Sequence, residues 1–172
     1  MALVTLTAHG SLYVALKTDE DLSRRARGVA LLCWPVQFFL TCSSLVATYF
    51  IRPEVMANYG KHKIGLLIPV LVFGSLAAML WANPKGKEKL AFVASSLYIT
   101  GMLVGAAFAL YPVVLPARER QYSLTIHNTA AGSHGLSVGL VWWTFGAVLA
   151  IAYFLIVYRM FRGKVQVGEG HY

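Results

Sequence analysis

Four stretches of this chain, residues 29–51, 64–81, 90–110 and 136–158, hold none of its 15 Lys and Arg and none of its 7 Asp and Glu. Each is about as long as an α-helix must be to cross roughly 30 Å of hydrocarbon at 1.5 Å per residue. A soluble core helix rarely stays apolar for so long, because one face must meet water. Every formal charge is thereby confined to a connector or a tail. The fold class that follows is all-α, a polytopic transmembrane helical bundle with four full spans. A fifth apolar stretch, 2–16, opens the chain but is short for a span. No basic residue precedes it, and the residues after it, KTDEDLSRRAR, are charged rather than small and cleavable, which argues against a secretory signal. We read it as an incomplete N-terminal span, the inner end of a helix that begins elsewhere. All 172 residues are expected to form one integral membrane domain.

The net charge of +8 raises the question of nucleic acid, but the cations are dispersed between the apolar stretches and make no continuous stripe with interleaved aromatics. Orientation accounts for them better, since cytoplasmic connectors accumulate Lys and Arg. The connector after stretch 2–16 (Lys17, Arg24, Arg25, Arg27), that around 85–89 (Lys85, Lys87, Lys89) and the tail (Arg159, Arg162, Lys164) hold ten cations. The remaining two connectors hold five: Arg52, Lys61, Lys63, Arg118 and Arg120. This bias predicts a cytoplasmic C-terminus and an outside loop over 117–135. Arg159, Arg162 and Lys164 then serve topology and anchoring, or docking to a partner; charge alone does not separate the two. Trp81 is expected to anchor the inner interface.

Two stripes within the apolar stretches point to packing against protein. Cys33, Gln37, Thr41, Ser44 and Thr48 recur every three or four residues and line one helical face, which in hydrocarbon needs partners. Ala94, Tyr98, Gly101 and Gly105 share another face, and GMLVG is a small-xxx-small pair that lets two backbones approach closely. Helix packing within the chain or with a partner is the first reading of both, with a quinone or gas pathway as the alternative. Pro112 and Pro116 end the third long stretch and begin the outside loop. Pro35 and Pro69 are the expected helix-interior breaks.

The supply of reactive groups is thin. Cys33 and Cys42 sit about 13.5 Å apart along one helix axis, on opposite faces, too far for a disulfide. Of five histidines only His9 lies in an apolar stretch, so paired axial ligands for a haem are not available there. It reads as a packed or hydrogen-bonded histidine beside Gly10. Asp19, Glu20, Asp21, Glu54, Glu88, Glu119 and Glu169 all lie outside the spans, leaving no carboxylate relay for protons. No phosphate loop, zinc spacing or nucleophile elbow appears, and the GEG near the C-terminus is too short to bind a nucleotide. The expectation is no catalytic, cofactor-binding or metal residue in this chain.

Four segments resemble the C-terminal half of subunit II of cytochrome bd-type quinol oxidases: AHGSLYVALKTDEDLSRRAR at 8–27, AFVASSLYITGMLVGAAFALYPVVLP at 91–116, SLTIHNTAAG at 123–132 and VYRMFRGKV at 157–165. Their order and spacing suit that family over nearly the whole chain. The resemblance implies a haem-free subunit of a quinol-oxidising, dioxygen-reducing complex in a bacterial-type inner membrane. Haem b, haem d and the main quinol site would belong to the partner, subunit I, which this chain would help assemble and stabilise. Membrane lipid and quinone are further implied contacts, and a small single-helix subunit is left open. The family's N-terminal half, with most of its intramembrane charge, is missing. Ser123, Thr125, His127 and Asn128 either cap irregular backbone or contact the lid of subunit I over its quinol site. Trp142 and Trp143 begin about two turns inside their helix, deeper than an interfacial belt, and one of them is placed to face a partner or an isoprenoid tail. Gly101, Gly105, Gln37, His127, Asn128 and Trp142 are therefore the candidate packing and interface residues. A small transporter, which needs broken helices or buried charge at the midplane, and a non-catalytic assembly scaffold are the other function classes compatible with the chain.

Overall fold

The structure, a computed structural model, describes residues 1–51 and 53–164. Arg52, the GEG segment and His171 thus lie outside the described residues. The helices are α1 (Ala2–Lys17), α2 (Glu20–Ile51), α3 (Glu54–Lys61), α4 (Leu67–Ala82), α5 (Glu88–Leu110) and α6 (Ser133–Met160). Four segments, Asp21–Ile51, Lys63–Ala82, Glu88–Leu110 and Ser133–Met160, are long and apolar enough to cross a membrane. They contain the four charge-free stretches.

Two helix boundaries differ from the hydropathy pattern for physical reasons. The apolar stretch starting at 29 belongs to a helix that starts at Glu20 and runs for 32 residues. At 1.5 Å per residue that is about 48 Å, well beyond the hydrocarbon thickness. Glu, Leu, Arg and Ala are good helix formers, so the charged segment continues the helix, and loss of hydropathy marks where lipid ends. The stretch beginning at 64 instead opens with a 3-10 turn, Lys63–Leu66, before α4. Pro69 sits in the first turn of α4, where a missing amide donor is tolerated, and so is no interior break. Pro35 does lie inside α2 and leaves that helix one donor short.

The described chain forms two compact units. In the first, Met1–Tyr111 with Lys164, helices α1, α2, α4 and α5 surround a core of Leu12, Ala30, Val72, Leu76, Met79, Ala82, Ala91, Ala94 and Tyr98. Polar links tie these helices in pairs. Trp34 Nε1 donates to the Leu76 carbonyl at 2.9 Å, and Asn83 Nδ2 to the Arg27 carbonyl at 3.0 Å. Ser23 Oγ donates to Glu88 Oε1 at 2.8 Å, and the other Glu88 oxygen pairs with Lys164 at 3.5 Å. The second unit, Pro112–Gly163, contains a short antiparallel pair, β1 (Val113–Leu115) and β2 (Leu124–Thr125), followed by α6. No residue of α6 is buried.

Candidate functional site

The small-residue face of α5 meets α4. A Cβ on Gly101 would stand 2.9 Å from Val72 Cγ2, and one on Gly105 would stand 3.2 Å from Ile68 Cγ2. Neither position has room for a side chain without displacing its neighbour. Ala94 and Tyr98 continue the face and are buried. The close approach is thus made within this chain, by dispersion contacts that lipid cannot reproduce at that distance.

The polar stripe of α2 divides into two parts. Gln37 and Thr41 are buried, and Thr41 Oγ1 lies 2.7 Å both from the Gln37 carbonyl and from Tyr98 Oη. Gln37 Oε1 has no hydrogen-bond partner. Further along, Ser44 is exposed and Thr48 half-buried, its hydroxyl turned back on the Ser44 carbonyl. Here the stripe borders an open groove of about 200 Å³, with Pro69 and Val72 of α4 and Gly101 and Gly105 of α5 on the other walls. The two stripes singled out in the sequence therefore meet across one groove. Its lining is mostly apolar, suited to a hydrocarbon chain or a packed helix and lacking the convergent acids and bases that catalysis requires.

At the neighbouring end of the bundle, α5 stops before Pro112, whose missing amide leaves the Phe108 carbonyl without its helical donor. Asn58 of α3 replaces it. Its Nδ2 donates to the carbonyls of Phe108 at 3.2 Å, Ala109 at 3.3 Å and Tyr111 at 2.6 Å. The Phe108 ring occupies the space beside Gly65 and packs on Tyr59, with ring centroids 5.0 Å apart. Burial there pushes the Tyr59 phenol above its ordinary pKa. Asn58 was not a sequence candidate. The signal was the proline, which demands a substitute donor without saying where it comes from.

The remaining candidates are separate. His9 lies with Nδ1 2.7 Å from Ser95 Oγ, and its ring stacks on Phe92 at 4.8 Å. In the second unit, Asn128 Oδ1 accepts from the Thr125 amide at 2.6 Å, and Asn128 Nδ2 donates to the Ser123 carbonyl at 3.1 Å. Ser123 Oγ accepts from the Ala117 amide at 3.1 Å. These side chains close the loop on itself, while His127 is exposed. Trp142 and Trp143 are also exposed, at 69% and 71%. Among the described residues no group of three or more His, Cys, Asp or Glu is placed to hold a metal ion.

Comparison with known proteins matches residues 1–161 to the family described as cytochrome bd terminal oxidase subunit II. A curated relative from Bacillus subtilis (strain 168), named cytochrome bd ubiquinol oxidase subunit 2, is 26% identical over 168 residues. That alignment covers 94% of this chain and 47% of the relative, so the chain spans about half the relative's length.

Proposed function

Because the chain belongs to the cytochrome bd terminal oxidase subunit II family, we propose that it serves as a haem-free membrane subunit of a quinol oxidase that reduces dioxygen to water. In this reading it packs against a haem-bearing subunit I and supports that subunit's assembly and stability. The observation that carries the reading is the family match, which runs from α1 to the end of α6. The residues present do not suit a haem site: the one histidine within an apolar stretch is engaged by Ser95 and Phe92, and His134, in the first turn of α6, is exposed and belongs to the other compact unit. Haem b, haem d and the quinol site accordingly belong to the partner, and no catalytic residue is assigned here. A small single-helix subunit is a further candidate partner.

The exposed surface of α6, with Trp142 and Trp143, and the loop carrying His127 are the surfaces this reading assigns to partner or lipid contact. In this reading the protein lies in the inner membrane, and the cation bias supports a C-terminus in the cytoplasm. Purification of the tagged chain from its native membrane tests the function. Co-isolation of a subunit with haem b and haem d spectra and quinol-dependent oxygen uptake is expected. Isolation of a chain with a stoichiometric Soret band of its own would overturn the haem-free assignment. Recovery without any haem protein would overturn the oxidase reading. A reporter fused after Tyr172 should be active only in the cytoplasm.

A further inference from the structure

We propose that the turn joining α4 to α5, together with Arg27 of α2, binds the phosphate of an anionic phospholipid. The turn is built as a cationic cradle. Lys85 Nζ lies 4.2 Å and Lys87 Nζ 4.1 Å from the centroid of the Trp81 ring. Attraction to one π-system holds both ammonium groups in the reach of a single ring, against their mutual repulsion. Gly86, between them, adopts φ 68°, and a Cβ there would stand 3.1 Å from Arg27 Nη1. A glycine at this position both permits the left-handed backbone and leaves room for the guanidinium. Asn83 Nδ2 fixes the base of the cradle by donating to the Arg27 carbonyl at 3.0 Å.

Three cations thus converge on one turn, and among the described residues no carboxylate neutralises them. Glu88 is engaged by Ser23 and Lys164, and Asp21 by Arg24. Arg27 Nε is buried and has no hydrogen-bond partner. A guanidinium whose Nη1 lies against the glycine between the two lysines adds planar donors to a turn that already carries two ammonium groups, a set suited to phosphate oxygens. The turn terminates two membrane-spanning helices, so the phosphate within reach is that of a lipid headgroup, and Trp81, 48% exposed, is placed as an interfacial anchor beside the acyl boundary. The proposal requires only that the turn sits at a membrane surface; it does not depend on the oxidase assignment or on which side of the membrane the turn faces.

The test uses the full chain in its native complex, equilibrated in nanodiscs of phosphatidylcholine containing a minor fraction of phosphatidylglycerol and then released for native mass spectrometry. Retained phosphatidylglycerol in excess of its bulk fraction is expected. A Lys85→Gln, Lys87→Gln variant should lower that excess by about fivefold per lysine removed. Both side chains are exposed, so the helices should form as before, which circular dichroism checks. A Lys61→Gln, Lys63→Gln variant removes the same charge from the connector between α3 and α4 and should leave the excess intact. An equal loss in both variants would mean diffuse charge attraction and would overturn the site. Retention unchanged in the Lys85, Lys87 variant would overturn it as well. Calorimetry of the same complex in phosphatidylcholine alone, titrated with inorganic phosphate, separates the sources. No heat of binding supports the lipid, and saturable binding of free phosphate would overturn the lipid assignment.

Discussion

Helices α5 and α6 have nearly the same credentials as membrane spans, with mean hydropathy of 1.8 and 2.2, yet α5 buries Ala91, Ala94, Ser95, Tyr98 and Gly101 while α6 buries nothing. The difference lies in what stands beside the apolar residues. The buried face of α5 is small or hydroxyl-bearing, so neighbouring backbones come close and hydroxyls find partners in Thr41 and His9. The corresponding length of α6 presents Trp142, Trp143, Phe145, Tyr153 and Phe154 outward. In lipid, apolarity decides which segments insert, and small and polar residues decide which of them pack against one another. A helix of large side chains remains able to meet lipid or another protein.

The contrast is broken most directly at the glycines. A Gly101→Leu, Gly105→Leu double variant should separate α5 from α4 at an overpacking cost of about 1–3 kcal/mol per site and, on the proposed function, lose subunit association and, secondarily, haem from the partner. Thermal inactivation and haem content of the purified complex measure this. If wild-type yield and oxidase activity survive, the packing face is wrong. The matched pair in α6, Gly139→Leu with Gly146→Leu, meets open space and should change the melting temperature far less. Asn58→Ala strips the carbonyls of Phe108, Ala109 and Tyr111 of their shared donor and should cost about 1–3 kcal/mol, read as a lower melting temperature in detergent. A smaller step is expected for Tyr98→Phe, which removes the hydroxyl bonded to Thr41, about 0.6 kcal/mol by analogy with other interhelical hydrogen bonds in membranes. Smallest is Leu103→Ile, at a side chain 68% exposed on the opposite side of α5. It should be indistinguishable from wild type in the same melt, and a marked shift would show that this side is also packed.

How far the sequence could be read follows the range of the forces involved. Spans were legible because charge exclusion from hydrocarbon acts residue by residue. The Gly101 and Gly105 face was legible because helical spacing brings small residues into line. The start of α2 was not, since Arg24, Arg25 and Arg27 leave lipid without leaving the helix. The stripe from Cys33 to Thr48 was visible as a line, but only the neighbours show that Gln37 and Thr41 are covered while Ser44 is not. In the SLTIHN segment, polar residues are visible in the sequence as candidates, whereas the part taken by Ser123 and Asn128 rather than His127 in the loop's own hydrogen bonds depends on how the loop folds back. Asn58 was the least legible, because its partners are 50 to 53 residues away.

That separation sets an order of events during synthesis. When α3 leaves the ribosome, the carbonyls that Asn58 will bind have not been made, and when α5 ends, its last turn has no donor of its own beyond Pro112. The connector holding α3 therefore completes only after α4 and α5 have been made and α5 has come back beside it. Closing a contact across so long a stretch is slow compared with forming a helix turn. Asn58 is accordingly bonded only in a chain whose α5 is already complete.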